Sequence, residues 1–204
     1  MIMKAVVFAS VLALALAAGN VAQAAQKKPA TGQLSAEEAA HLTFMREEEK
    51  LARDLYLSLN ESWNRMVFAN IADSEDTHFA TLGDALSRYR LADPALPQAG
   101  RFGNPDLQAL YDHLLGQGRI SLATALWVGG LVEEVDIQDL ERALAATSHS
   151  DLKTAYSHLQ CGSRNHLRAF ARNLAMLNVT YRAQVLPQDQ VDAILASDQE
   201  RCGW

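Results

Sequence analysis

The sequence predicts an all-α fold, a four-helix bundle with one long crossover, and three observations carry that expectation. Long stretches repeat apolar residues at three- and four-residue steps, no stretch alternates as a strand would, and Pro and Gly crowd into one connection. Helix one opens at Ser35, whose hydroxyl can cap the chain with Glu37 and Glu38 in the first turn, where the helix dipole favours acids, and runs to about Leu59. Helix two occupies roughly Trp63 to Leu91, through Phe68, Ile71, Ala72, Phe79, Leu82, Leu86 and Tyr89. Pro94, Pro97, Gly100, Gly103 and Pro105 then punctuate the crossover, which carries one short helix, Asp106 to Leu115, closed by Gly116 and Gly118.

Ser121 caps helix three, which passes Leu122, Leu126, Val132, Leu140 and Leu144 to about Ala146. Ser150 and Asp151 open helix four, which continues through Leu152, Tyr156, Leu159, Phe170, Leu174 and Leu177. Links one to two and three to four are short, so the long link lets helix three return parallel to helix two across the bundle. Beyond Val179 the pattern gives a short helix, Pro187 to Leu195, and a final stretch carrying Cys202.

At the other end Lys4 precedes an apolar run from Ala5 to Ala18, followed by small residues at Ala22 and Ala24. That is the anatomy of a secretory signal peptide over residues 1–24, too short in its apolar part for a permanent span. Residues 25–33, with Pro29, read as a flexible leader, 34–179 as the bundle and 180–204 as a tail. The expected location of the mature chain is the periplasm or the exterior, with no membrane contact after cleavage. A net charge of −6 without a Lys/Arg cluster excludes nucleic acid and anionic membranes as partners. A small solute, a metal ion or a protein remains. Of two cysteines, Cys161 and Cys202, an oxidising compartment permits a bridge between helix four and the tail, and two free thiols are the other outcome.

The core-facing stripes carry an anomaly. They read Met45, Glu49, Ala52, Tyr56, Leu59 in helix one and Phe68, Ile71, Glu75, His78, Leu82 in helix two. Helix three gives Leu122, Leu126, Gly129, Glu133, Asp136, Leu140, and helix four gives Leu159, Ser163, His166, Phe170. Each stripe is interrupted near mid-helix by acids or imidazoles. Unpaired buried carboxylates cost several kcal/mol each, so a cation must balance them, and carboxylate oxygen with imidazole nitrogen suits iron, manganese or zinc. Residues three apart point the same way, so Glu75 with His78, and Glu133 with Asp136, can reach one ion together. Glu47 and Glu48 are expected on a solvated face, and of the neighbours Glu133 and Glu134 the register turns Glu133 inward.

Glu49-Lys50-Leu51-Ala52-Arg53-Asp54-Leu55-Tyr56 resembles the E-x-x-A-R-x-x-Y of rubrerythrin-like helices, and Glu75-Asp76-Thr77-His78 resembles their E-x-x-H. The run from about Leu34 to Leu177 is similar to an uncharacterised bacterial and archaeal branch of the ferritin-like superfamily, catalogued as a domain of unknown function. The resemblance implies a di-metal, chiefly di-iron, site that oxidises ferrous iron or reduces a peroxide. Carried over residue by residue, its ligands are Glu49, Glu75, His78, Glu133 and His166, with Tyr56 as a redox-active or hydrogen-bonding neighbour. Where helix four should repeat E-x-x-H it reads Ser163-Arg164-Asn165-His166, so Asp136 is expected to supply the missing carboxylate.

No rubredoxin-like cysteine pairs occur, so an electron donor would come from elsewhere, and ferritin-style storage would need a homo-oligomeric shell. The rival reading is a non-catalytic binding or stress-related bundle with a degenerate or single-metal site, in which Arg53 or Arg168 turns inward to neutralise Glu49 or Glu75. Gly129 and Gly130, mid-helix, mark either close packing or room for dioxygen or peroxide. His41, His113, His149 and His158 lack paired spacing and are expected at the surface or at caps.

Overall fold

The computed structural model describes residues 32–203, so the expected signal peptide over residues 1–24 and most of the expected leader over 25–33 lie outside the described residues. Among the described residues there are six helices and no strand: α1 Ala36–Trp63, α2 Met66–Arg88, α3 Pro105–Gly118, α4 Leu122–Ala146, α5 Ser150–Met176 and α6 Gln188–Ala196. None of these helices is long and apolar enough to cross a membrane.

The helix ends follow local chemistry. Ser35 and Glu38 form a reciprocal capping box, with Ser35 Oγ accepting from the Glu38 N–H at 3.1 Å and Glu38 Oε2 accepting from the Ser35 N–H at 2.8 Å. Glu38 also accepts from the Thr147 hydroxyl at 2.8 Å, joining the start of α1 to the end of α4. Burial raises its pKa, yet these donors outweigh that and hold it at about 2. Trp63, expected to open the second helix, instead closes α1, which runs on past Leu59 to Asn64 in the left-handed region at φ 47°. Gly116 lies inside the last turn of α3 and Gly118 ends it, and α5 opens at Ser150 with Asp151 in its first turn and His149 at the preceding cap position.

α1 packs on α2 and α4, and α5 packs on α4 and α2, while α3 lies against α1 and α4 and α6 against α5. The buried apolar residues divide into two clusters. A larger one contains Leu51, Leu55, Phe68, Leu126, Phe170 and Leu174, and a smaller one contains Leu42, Met45, Leu82, Leu86, Leu140, Leu152 and Leu159. α1 and α5 run from the smaller cluster to the larger, whereas α2 and α4 run the other way. α4 is therefore parallel to α2, as a long crossover requires.

That crossover is fixed by charges that periodicity does not reveal. Lys50, 1% exposed, donates to Asp54 Oδ2 at 2.6 Å and to the carbonyls of Gln98 and Arg101 at 2.9 and 3.1 Å. Asp54 Oδ2 also accepts from the Gly100 N–H at 2.8 Å. Glu47, expected in solvent, is buried and accepts from the Gly103 and Asn104 N–H groups at 2.5 and 3.2 Å. Arg46 donates to Asp93 and to the Phe79 carbonyl.

Removing one partner of a buried ion pair leaves the other charge unpaired in a low-dielectric interior. Asp54→Ala is therefore expected to lower unfolding free energy by about 3–5 kcal/mol in a urea titration. Unchanged stability would show that Lys50 finds water when its partner is gone.

Candidate metal centre

The two apolar clusters are separated by a polar layer to which α1, α2, α4 and α5 each contribute. Glu49 (2% exposed), Glu75 (2%), His78 (1%), Glu133 (1%), Asp136 (6%) and His166 (8%) are all buried in it. Two sets of potential ligand atoms each lie within 4.8 Å of one another: Glu49, Glu75 and His78, and Glu75, Glu133 and His166. Glu75 belongs to both. Its Oε2 stands 2.6 Å from His78 Nδ1 and its Oε1 stands 2.8 Å from His166 Nδ1. Glu49 Oε2 lies 3.3 Å from His78 Nδ1, and Glu133 Oε2 lies 3.3 Å from His166 Nδ1. The layer is thus two carboxylate–imidazole groups joined through one central carboxylate.

Neighbours orient these groups. Ser74 Oγ is 3.0 Å from His166 Nε2, which turns the other ring nitrogen toward the acids. Tyr56 donates to Glu133 Oε1 at 2.5 Å, with the Gly129 carbonyl at 3.3 Å. Asp136, expected to supply the carboxylate that the resemblance calls for on helix four, belongs to neither set. Ser163, where the resemblance calls for a carboxylate, donates to Asp136 Oδ2 and to the Leu159 carbonyl. The serine thereby holds an acid from α4 beside the centre.

Electrostatics follow from burial and from this alternation of sign. Burial raises the pKa of Glu49 well above the usual carboxylate range, Glu75 adds to the effect and His78 opposes it. Glu133 is raised by burial against His166, and Asp136 is raised well above its ordinary value by burial and by Glu49 and Glu75. Burial acts on Glu75 in the same direction, but the imidazoles of His166 and His78 on its two sides outweigh it and hold Glu75 below the usual range. Burial depresses both imidazoles, yet Glu75 and Glu133 push His166 up to about 10, and Glu75 and Glu49 push His78 well above its ordinary value. Positive charge is stabilised on either side of Glu75, where each donor set converges.

The arginines considered as internal counter-ions are engaged elsewhere. Arg53 pairs with Asp54 and Asp76 at 3.0 and 2.8 Å, and Arg168 with Glu200 at 2.8 Å and the Ile194 carbonyl at 2.8 Å. Three buried carboxylate oxygens, Glu48 Oε2, Glu49 Oε1 and Asp136 Oδ1, have no hydrogen-bond partner among the described residues, and of these acids only Glu49 belongs to a donor set. Orphaned acceptors in a dry interior need a cation or a proton. The donor set of carboxylates and imidazoles suits iron, manganese or zinc.

Two acids expected outside the core are buried as well. Glu134 points away from the centre and accepts from the Tyr181 hydroxyl at 2.6 Å and from the N–H groups of Gln184, Val185 and Leu186 at 2.7–3.0 Å. Glu48 is raised well above its ordinary value by burial and by Asp139 and Asp136. Ser74 and Gly162 were not anticipated. A Cβ on Gly162 would stand 2.7 Å from His78 Nε2, so that glycine makes room for the ring. The signal was available, because Gly162 is mid-helix one turn before His166.

Residues 38–198, a span holding every residue of the centre, match the family described as an uncharacterized protein domain (DUF2202). The chain belongs to that family. The DUF2202 chain is 41% identical over 169 residues to "Uncharacterized protein MJ0754" of Methanocaldococcus jannaschii, covering 82% of this chain and 91% of the relative. It is also similar to the crystal structure of hypothetical protein MJ0754 from Methanococcus jannaschii DSM 2661, with a TM-score of 0.81 and 40% sequence identity over 85% of this chain and 98% of that one.

Gly129 and Gly130 do not leave space for a solute. A Cβ on Gly129 would lie 2.5 Å from the Phe170 ring, and one on Gly130 would meet Tyr181. Gly129→Ala is accordingly expected to lose about 1–3 kcal/mol of stability to overpacking, in excess of the ~1 kcal/mol that helix propensity returns. A rise in melting temperature would show instead that Phe170 yields easily.

Proposed function

We propose that the chain is a ferritin-like four-helix bundle that binds two metal ions, iron foremost and manganese or zinc as substitutes, between its two apolar clusters. The observation that carries the reading is the pair of buried donor sets sharing Glu75. One ion would be held by Glu49, Glu75 and His78, the other by Glu75, Glu133 and His166, with Asp136 adjacent. When bound, such ions supply one-electron exchange with a small oxidant such as a peroxide, or the oxidation of ferrous iron.

The chain's own residues prepare that chemistry. Glu75 offers one oxygen to each side, Ser74 fixes the His166 ring, and Tyr56 holds Glu133 with its hydroxyl, which burial and Glu133 keep protonated. Phe68 and Phe170 pack above the layer, with Phe170 beside Tyr56 at 5.2 Å between ring centroids, and help keep bulk water from it. Both cysteines are consumed in a disulfide, so electrons must come from a separate donor. That bond also supports export to the periplasm or exterior, since disulfides persist in oxidising compartments.

A second reading has its own observation. Glu75 stands between two imidazoles that the surrounding acids hold above their ordinary pKa, so its charge has counter-ions without a metal, which suits a bundle with a degenerate or single-metal site acting in binding rather than catalysis. Elemental analysis after anaerobic loading with ferrous iron separates the two. The expected result is two irons per chain in the native protein and at most one in the Glu75→Ala, His78→Ala variant. One iron in the native protein would favour the single-metal reading, and none in either protein would overturn the metal reading.

A further inference from the structure

A cavity of about 330 Å³ between α2 and α5 leads from solvent to the centre. Its outer lining includes the exposed residues Asn70 and Arg172, and its floor is formed by the buried residues His78, Gly162 and His166. Because Gly162 lacks a Cβ, the His78 ring can occupy that floor.

The remaining wall is not helical. Glu200 and Cys202, from the stretch after α6, complete the cavity. That stretch is tied down in three ways. Cys202 is bonded to Cys161, next to Gly162. Asn165 grips the Glu200 backbone from both sides, donating to its carbonyl at 3.0 Å and accepting from its N–H at 2.9 Å. The Glu200 carboxylate accepts from Arg164 at 2.5 and 2.8 Å and from Arg168 at 2.8 Å. The Glu200 side chain is 32% exposed and Arg164 is part-exposed, so that ion pair is screened by water, whereas Arg168 is buried. The disulfide spans a sequence separation of 41 and is the one covalent tie among the three.

The charges around the cavity are mostly positive. Arg164 and Arg168 offset Glu200, and Arg172 adds positive charge at the mouth. Glu48, Asp136 and Asp139, which would draw in cations, belong to α1 and α4 and do not line the cavity.

We propose that this cavity is the entry port through which small uncharged or anionic solutes reach the histidine side of the centre, and that the disulfide-anchored tail is its adjustable wall. A dithiol reductant opens it: the S–S bond breaks, Cys161 and Cys202 each leave as a thiol, and the dithiol, having given two electrons and two protons, closes into its own disulfide. The purpose of the port rests on the metal reading, but its existence does not, so the test uses metal-free protein.

The test is proton relaxation of the His166 and His78 imidazoles by a small neutral nitroxide, in the disulfide form, the dithiol-reduced form, a Cys202→Ser, Glu200→Gln variant and an Asn70→Trp variant. Relaxation at both rings should rise severalfold in the reduced form and in the double variant. It should fall below the disulfide form in Asn70→Trp, while the buried Tyr156 ring stays unaffected throughout. Equal relaxation in all forms, or a rise shared by Tyr156, would overturn the port. Two irons per chain with unchanged relaxation would sink the port and leave the metal centre standing, and the converse would do the opposite.

Discussion

The structure turns on one electrostatic constraint, the burial of Glu75 at the middle of a helical core. A carboxylate there must find positive charge, and its two oxygens each meet an imidazole, one from its own helix and one from α5. Glu49 and Glu133 then face the same two imidazoles from α1 and α4. All four long helices are thereby fixed in rotation about their axes, because any one turned away would leave a charged group without its counterpart. The apolar core is divided in two for the same reason, with Leu42, Met45 and Leu82 on one side of the layer and Leu55, Phe68 and Phe170 on the other.

Acids elsewhere in the interior show what a purely structural carboxylate looks like. Glu134 is met by a tyrosine hydroxyl and successive backbone N–H groups, and Glu47 by the N–H groups of the crossover. Each is satisfied by donors that no metal could replace. Glu48, Glu49 and Asp136 instead each keep a buried oxygen without any donor, and protonation is the alternative to a cation. Convergence with the two imidazoles, which Glu49 has and Glu48 lacks, rather than the number of acids or an orphaned oxygen alone, distinguishes a site from a staple.

Much of this was legible in the sequence, and the reason is helical periodicity. Glu49, Glu75, His78, Glu133 and His166 sit on the same stripe as Met45, Phe68, Leu126 and Phe170, so burial followed from register. Direction followed as well, since one long link among short ones makes α4 parallel to α2. Periodicity fails where loops and tails, rather than helices, provide the burial. Lys50, Glu47 and Glu134 lie off the central stripe and are covered by the crossover or the C-terminal stretch, whose paths no repeat encodes. The mid-helix glycines needed a partner to be interpreted: Gly129 and Gly130 face aromatic rings, whereas Gly162 faces His78. The substitution of Ser163 for an expected carboxylate likewise acquired meaning only once Asp136 was seen to accept from it.

The most direct measurement of the central claim is anomalous diffraction at the iron edge from crystals of the iron-loaded protein. The account requires two peaks flanking Glu75, one beside Glu49 and His78 and the other beside Glu133 and His166. An absence of peaks, with Glu75 still held between the two imidazoles, would contradict it.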